Sequence, residues 1–308
     1  MTIEWAWPSR ASHPHAISPE IRLDGDGRCQ VVLLHGLTGA PSEFAYIARY
    51  LQRRGHLDVW CPTLLNHGGP IRLLAATGRD ALYASVRSQF EKARRTSAAT
   101  GSPLVIGGLS IGADLALMLA AEFPDAVAGV ICLAPTLFYD GWNVPWAYRL
   151  LPLVDWTPFK FFAYHREESP YGLKDETLRA IVEKEYAAKT LKDETQGHDG
   201  YAHYPIQLLC EMEHLIRACM KALPQVKAPI LVVQAEHDDA TGPRNAEFIL
   251  ARTNSRRKEL LSLENSYHVV TADVERAAVA AAMQAFCDGV ISKNSSAERA
   301  DAAPRRVS

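Results

Sequence analysis

Val31-Val32-Leu33-Leu34 is an aliphatic run without a polar break, closed at once by His35-Gly36. A strand with one wet face alternates apolar and polar residues, so an unbroken run of this kind belongs to a strand covered on both faces. Similar runs occur at residues 57–60, where Asp58 interrupts, and at 104–106, 127–133 and 230–233; 260–263, which includes Ser262, completes the series. Amphipathic helical patterns fill the intervals at 42–53, 80–95, 111–122, 206–223, 243–251 and 272–291. Buried strands alternating with helices at this spacing make βαβ units, which require a mostly parallel central sheet flanked by helices on both faces. The expected class is therefore α/β.

The sharpest chemical signal stands where the strand at 104–106 meets the helix at 111–122. It reads Gly107-Gly108-Leu109-Ser110-Ile111-Gly112-Ala113, a G-x-S-x-G phrase in strand–turn–helix context. Glycine at 108 and 112 lets backbone segments pass close to the serine, so a sharp elbow presents Ser110 at the carboxyl edge of the sheet. A serine hydroxyl is a poor nucleophile near neutral pH and needs an adjacent base. The base, and an acid to orient it, are expected just beyond later strands. Glu236-His237-Asp238-Asp239 follows one of them, and Glu264-Asn265-Ser266-Tyr267-His268 follows the next. His268 is placed to take the Ser110 proton and return it to a leaving group, while the acid fixes the imidazole tautomer and stabilises its cation. Asp238 is the preferred acid, then Asp239, then Glu236; His237 points elsewhere. His35-Gly36-Leu37-Thr38-Gly39 stands directly after the first buried strand. From there the Leu37 N–H and, across the elbow, the Ile111 N–H are the expected oxyanion donors. One such donor is typically worth about a hundred- to a thousandfold in turnover.

These phrases are joined by Asn66-His67-Gly68, by Ala235-x-x-Asp238 with Pro243, and by Ser266-Tyr267-His268-Val269-Val270-Thr271-Ala272-Asp273. On them the chain resembles the α/β-hydrolase family, in particular the small bacterial carboxylesterases and monoacylglycerol lipases. The resemblance implies the α/β-hydrolase fold, a Ser110–Asp238–His268 triad and the amides of Leu37 and Ile111 as oxyanion hole. It further implies a carboxylic ester cleaved through an acyl-enzyme, and a structural role for His67. A thioesterase or acyltransferase with the same triad, and a non-catalytic binding protein on this fold, are the alternatives. Ala113 departs from the family by replacing a frequent second glycine. A second departure is a long aromatic segment.

That segment runs from about 138 to 205, where no buried strand is evident. Ten aromatic residues fall between 138 and 164. It is expected to be a helical, aromatic-rich cap inserted between two core segments, 20–137 and 206–292. An N-terminal extension, 1–19, and a disordered tail, 293–308, complete the organisation. Phe138, Trp142 and Trp146 are candidates for substrate contact, because aromatic side chains wall acyl-chain pockets well. An apolar approach with few cations favours hydrophobic, neutral esters.

Several classes are excluded. The net charge of −2, with the basic clusters at 87–95 and 256–258 set among acids, leaves no footprint for nucleic acid. No P-loop or G-x-G-x-x-G follows a strand, so no nucleotide cofactor is expected. His13-x-His15 and the histidines at 198–203 lack companion ligands, so no metal is expected. Six cysteines without a CxxC pair suit a reducing compartment. No signal peptide or membrane span is read from the sequence, which makes cytoplasmic the expected location, with at most weak lipid-surface contact through the cap.

Overall fold

A computed structural model describes residues 19–187, 189 and 200–301. The other residues lie outside the described part, including nearly all of the N-terminal extension, His13, His15, His198 and the end of the tail.

Among the described residues, seven strands form one sheet: β1 (Ile21–Leu23), β2 (Gln30–Leu34), β3 (Asp58–Cys61), β4 (Leu104–Leu109), β5 (Gly129–Leu133), β8 (Ile230–Ala235) and β9 (Lys258–Leu263). Their order is β1-β3-β2-β4-β5-β8-β9. Only β1 runs antiparallel to its neighbour, pairing with β3; the remaining ladders are parallel. Side chains leave each strand by alternating faces. Val31 and Leu33 therefore join one apolar cluster and Val32 and Leu34 the other, as do Leu231 and Val233 against Ile230 and Val232. That is the physical reason for the unbroken apolar runs: both faces are covered. Each fully buried Val, Leu or Ile contributes about 1.5–3 kcal/mol.

Helices α1 (Ala45–Gly55) and α9 (Arg276–Asp301) cover one face, through residues such as Ile47, Leu51, Met283 and Phe286. The opposite face is covered by α3 (Arg79–Thr100), α4 (Ile111–Glu122), α7 (Ile206–Ala222) and α8 (Arg244–Arg252). A short helix, α2 (Ile71–Ala75), precedes α3. Helix α4 is buried nearly all round, as a helix directly behind the central strand must be. α9 runs to Asp301.

Between β5 and α7 the chain makes a long excursion. It holds the short helix α5 (Leu151–Val154), helix α6 (Glu176–Ala187), and an antiparallel hairpin of β6 (Tyr164–Arg166) with β7 (His203–Pro205). Phe138, Tyr139, Tyr148 and Tyr164 pack against the core. Trp146, Trp156 and Phe162 do not: they are 76%, 91% and 80% exposed.

Candidate active site

Ser110 sits between β4 and α4 at φ 57°, ψ −125°, a backbone conformation that L residues rarely adopt. The flanking glycines make this turn possible. A Cβ on Gly108 would collide with the Gly112 carbonyl, and one on Gly112 would collide with the Leu34 carbonyl. The elbow therefore packs β2, β4 and α4 backbone to backbone. Ser110 also anchors itself through its own N–H, which donates to the Leu133 carbonyl at 2.9 Å.

Asp238 leaves the end of β8 and is buried. Both of its oxygens lie 3.1 Å from His268 Nδ1. The carboxylate also accepts the N–H groups of Ala240 and Thr241, each at 2.8 Å, together with the Thr241 hydroxyl and the Gln234 amide at 3.2 Å. So many donors fix its aim. Asp239 does a different job: its oxygens accept the backbone N–H of His268 at 3.2 Å and of Gly172 at 3.1 Å. Burial raises its carboxyl above the usual range. Glu236 accepts the Ser262 hydroxyl at 3.0 Å.

His268 lies on the loop after β9, held by the Tyr267 N–H donating to Asp273 at 2.7 Å. Burial alone would push its imidazole down. The charge of Asp238 and its hydrogen bond, with Asp239 and Glu43 behind them, overcome this and push it up to about 9. The hydrogen bond that Ser110 Oγ makes among the described residues is with Thr136 Oγ1, at 2.8 Å, rather than with His268. Thr136 is anchored in turn by its N–H, which donates to Asp114 at 3.3 Å. Asp114 is fully buried and its carboxyl is held well above the usual range by desolvation. Nothing in the sequence singled out Thr136 or Asp114, because neither belongs to the elbow phrase.

The loop after β2 faces the elbow, and a Cβ on Gly36 would stand 3.9 Å from Ser110 Cβ. His67 Nε2 donates to the Leu37 carbonyl at 2.6 Å, and the Tyr201 N–H donates to the Thr38 carbonyl at 3.3 Å. His35 accepts the Leu64 N–H at 3.1 Å, and burial keeps it neutral. These bonds tie the carbonyls of the loop outward. Among the described residues no protein group takes up the Leu37 N–H. Ile111 opens α4, so its N–H has no acceptor within the helix. Phe138 packs edge-on against Phe248 at 5.2 Å, with Arg244 over its ring at 3.9 Å. Trp142 donates to the His237 carbonyl at 3.0 Å and meets Tyr267 edge-on; like Trp146 it is exposed. No cluster of His, Cys, Asp and Glu able to hold a metal occurs among the described residues, and all six cysteines are free and buried.

The family model described as serine aminopeptidase, S33, matches residues 25–275. The chain is 24% identical over 251 residues to the thermostable monoacylglycerol lipase of Bacillus sp. (strain H-257), which covers 82% of this chain and 87% of the lipase. It is 25% identical over 246 residues to a carboxylesterase of Bacillus subtilis (strain 168), covering 80% of this chain and 87% of the relative. Among solved structures, one from work on the metagenome-derived lipolytic enzymes LipS and LipT superposes with a TM-score of 0.71 at 25% identity, over 88% of this chain and 98% of that one. A monoglyceride lipase variant from Saccharomyces cerevisiae superposes at 0.73 with 16% identity, over 88% of this chain and 90% of that one, and speaks for the fold alone. With the family match spanning most of the sequence, the chain belongs to the serine aminopeptidase S33 family and carries the α/β-hydrolase fold.

Proposed function

We propose that this chain is a carboxylic-ester hydrolase working through an acyl-enzyme on Ser110. The observation that carries the reading is the Asp238–His268 pair, 3.1 Å apart, on the same carboxyl edge as a serine held at a strained elbow. Rotation about the Ser110 Cα–Cβ bond releases Thr136 and turns Oγ toward His268 Nε2. The imidazole takes the hydroxyl proton as Oγ attacks the ester carbonyl carbon. The amides of Leu37 and Ile111 hold the resulting oxyanion. His268 then protonates the departing alkoxide, and a water repeats the sequence in reverse to release the acid and restore Ser110.

Because only neutral imidazole accepts a proton, a base raised to about 9 makes kcat/KM climb about tenfold per pH unit until that pH. Asp238→Asn removes the largest raising influence, so its remaining activity levels off at lower pH. A profile from pH 6 to 10 on a p-nitrophenyl ester reads both. Wild-type activity that levels off near 6.5 contradicts the assignment of these carboxylates.

Residues 138–205 act as the cap on a core formed by 20–137 and 206–292, and the substrates are hydrophobic, neutral esters. Trp142 and Trp146 are assigned to the entry, where the exposed rings also give weak contact with a lipid surface; Phe138 fills the root of the cap. The relatives named as lipases and esterases support this class. An acyl-chain series of p-nitrophenyl esters, monoacylglycerols and thioesters tests it. The expected result is a kcat/KM rising about fourfold per methylene, from about 0.8 kcal/mol each, until the pocket is full. A flat series counts against the hydrophobic pocket. Thioesters turning over faster than matched oxygen esters would move the assignment to a thioesterase.

A further inference from the structure

One carboxyl beside Ser110 has no part in the triad. Glu43 lies in the 3-10 turn Pro41–Phe44, just after the loop His35-Gly36-Leu37-Thr38-Gly39. Its side chain turns back, and Oε2 accepts the Gly36 N–H at 3.0 Å. The loop closes around this group. Gly39 N–H donates to the Gly36 carbonyl at 3.3 Å, and the space a Cβ on Gly39 would need is already filled by the Glu43 carboxyl. On the far side, the Cβ position of Gly36 lies 3.6 Å from Glu43 Oε2 and 3.9 Å from Ser110 Cβ. Carboxyl and nucleophile therefore flank the same glycine, one residue before the Leu37 amide.

We propose that Glu43 is the positioning residue of the oxyanion loop: by holding the Gly36 N–H, its carboxyl aims the next amide, Leu37 N–H, at the oxygen of the tetrahedral intermediate. The inference rests on the ester-hydrolase reading. A loop with glycine at 36 and 39 has many backbone conformations open to it. Without a fixed partner for Gly36, the Leu37 amide would spend much of its time misdirected. His67 restrains the Leu37 carbonyl, so the peptide units on either side of the one that carries the Leu37 N–H are both held. The charge is also managed. Burial pushes the Glu43 carboxyl up to about 7, with His268 acting on it as a counter-charge, so near neutral pH the clasp sets less than a full negative charge behind the developing oxyanion. Glu167, on the β6–β7 side, adds a second carboxyl acting in this region, and burial raises it to about 8.

Misplacing one oxyanion donor costs rate without weakening ground-state binding, since the oxygen bears full charge only in the intermediate. The test compares Glu43→Gln, which keeps an oxygen acceptor and the shape, with Glu43→Met, which keeps the length and removes the acceptor. Each is measured for kcat, KM, thermal midpoint and inhibition by an alkylboronic acid, whose adduct with a serine mimics the tetrahedral intermediate. Expected for Glu43→Met is a kcat lower by about thirtyfold, with KM within threefold and boronate inhibition weakened in step with kcat. Glu43→Gln is expected within threefold of wild type on every reading. Unchanged kcat and boronate affinity in Glu43→Met overturns the proposal. So does a Gln variant as impaired as the Met variant, or a loss that falls in KM instead. Ser110→Ala in the same series separates the two levels. Should it keep wild-type turnover, the underlying ester-hydrolase reading falls; should it be inactive while Glu43→Met behaves as wild type, only the role of Glu43 falls.

Discussion

Ser110→Ala is expected to lower kcat for p-nitrophenyl ester hydrolysis about a hundred-thousandfold or more while leaving the protein folded. Losing the attacking atom of a triad typically removes nearly all of its contribution, and what remains comes from the oxyanion donors and from binding. Alanine keeps the Cβ and the backbone bond to Leu133, so the elbow keeps its form. The strain at φ 57° belongs to the backbone and exists in both proteins. Thr136 loses its hydroxyl partner, a modest cost beside the loss of the nucleophile. The result is read by steady-state kinetics together with an unfolding curve. An unfolding curve that matches the wild type ties the kinetic loss to the missing hydroxyl. A folded variant with wild-type turnover would remove Ser110 from the reaction.

The second large effect separates two neighbouring carboxylates. Asp238→Asn is expected to cost about ten-thousandfold in kcat, because an amide in place of the carboxylate presents a donor to Nδ1 and inverts the imidazole tautomer. Asp239→Asn is expected to cost about tenfold. Its oxygens receive the backbone amides of His268 and Gly172, so the substitution loosens the loop that carries the base without touching its ring. Losing one buried acceptor of this kind also lowers stability by about 1–3 kcal/mol. A larger kinetic loss at Asp239 than at Asp238 would reverse the assignment. The two variants thus distinguish a group that faces the base from a group that holds the loop beneath it.

What could be read from the sequence follows from burial. The strands β2, β4, β5 and β8 are covered on both faces, so their apolar runs were unbroken and legible. The elbow phrase was legible because only glycine fits at 108 and 112. The edge strand β1 and the hairpin β6–β7 are three-residue strands with half-wet side chains, and they leave no periodic signal. Aromatic composition marked the region after 138 but not the direction of its rings: Tyr139 and Tyr148 turn toward the core while Trp146 and Trp156 face outward. Partnerships across the fold were beyond reach for a different reason. Glu43 reads as an ordinary acid in a first turn, and Thr136 as a residue after a strand. Their proximity to Ser110 is set by how three loops converge on one sheet edge, which no local pattern encodes. By the same limit, position along the chain ranks Asp238, Asp239 and Glu236 without showing the bond that each one makes.

The most direct measurement of the central claim is the mass of the protein after reaction with a p-nitrophenyl alkylphosphonate, a reagent that phosphonylates an activated serine and releases nitrophenol. The account predicts one adduct per chain, located by peptide mapping on Ser110, formed in step with loss of esterase activity and absent from Ser110→Ala. An adduct on any other residue, or complete loss of activity without modification of Ser110, would contradict it.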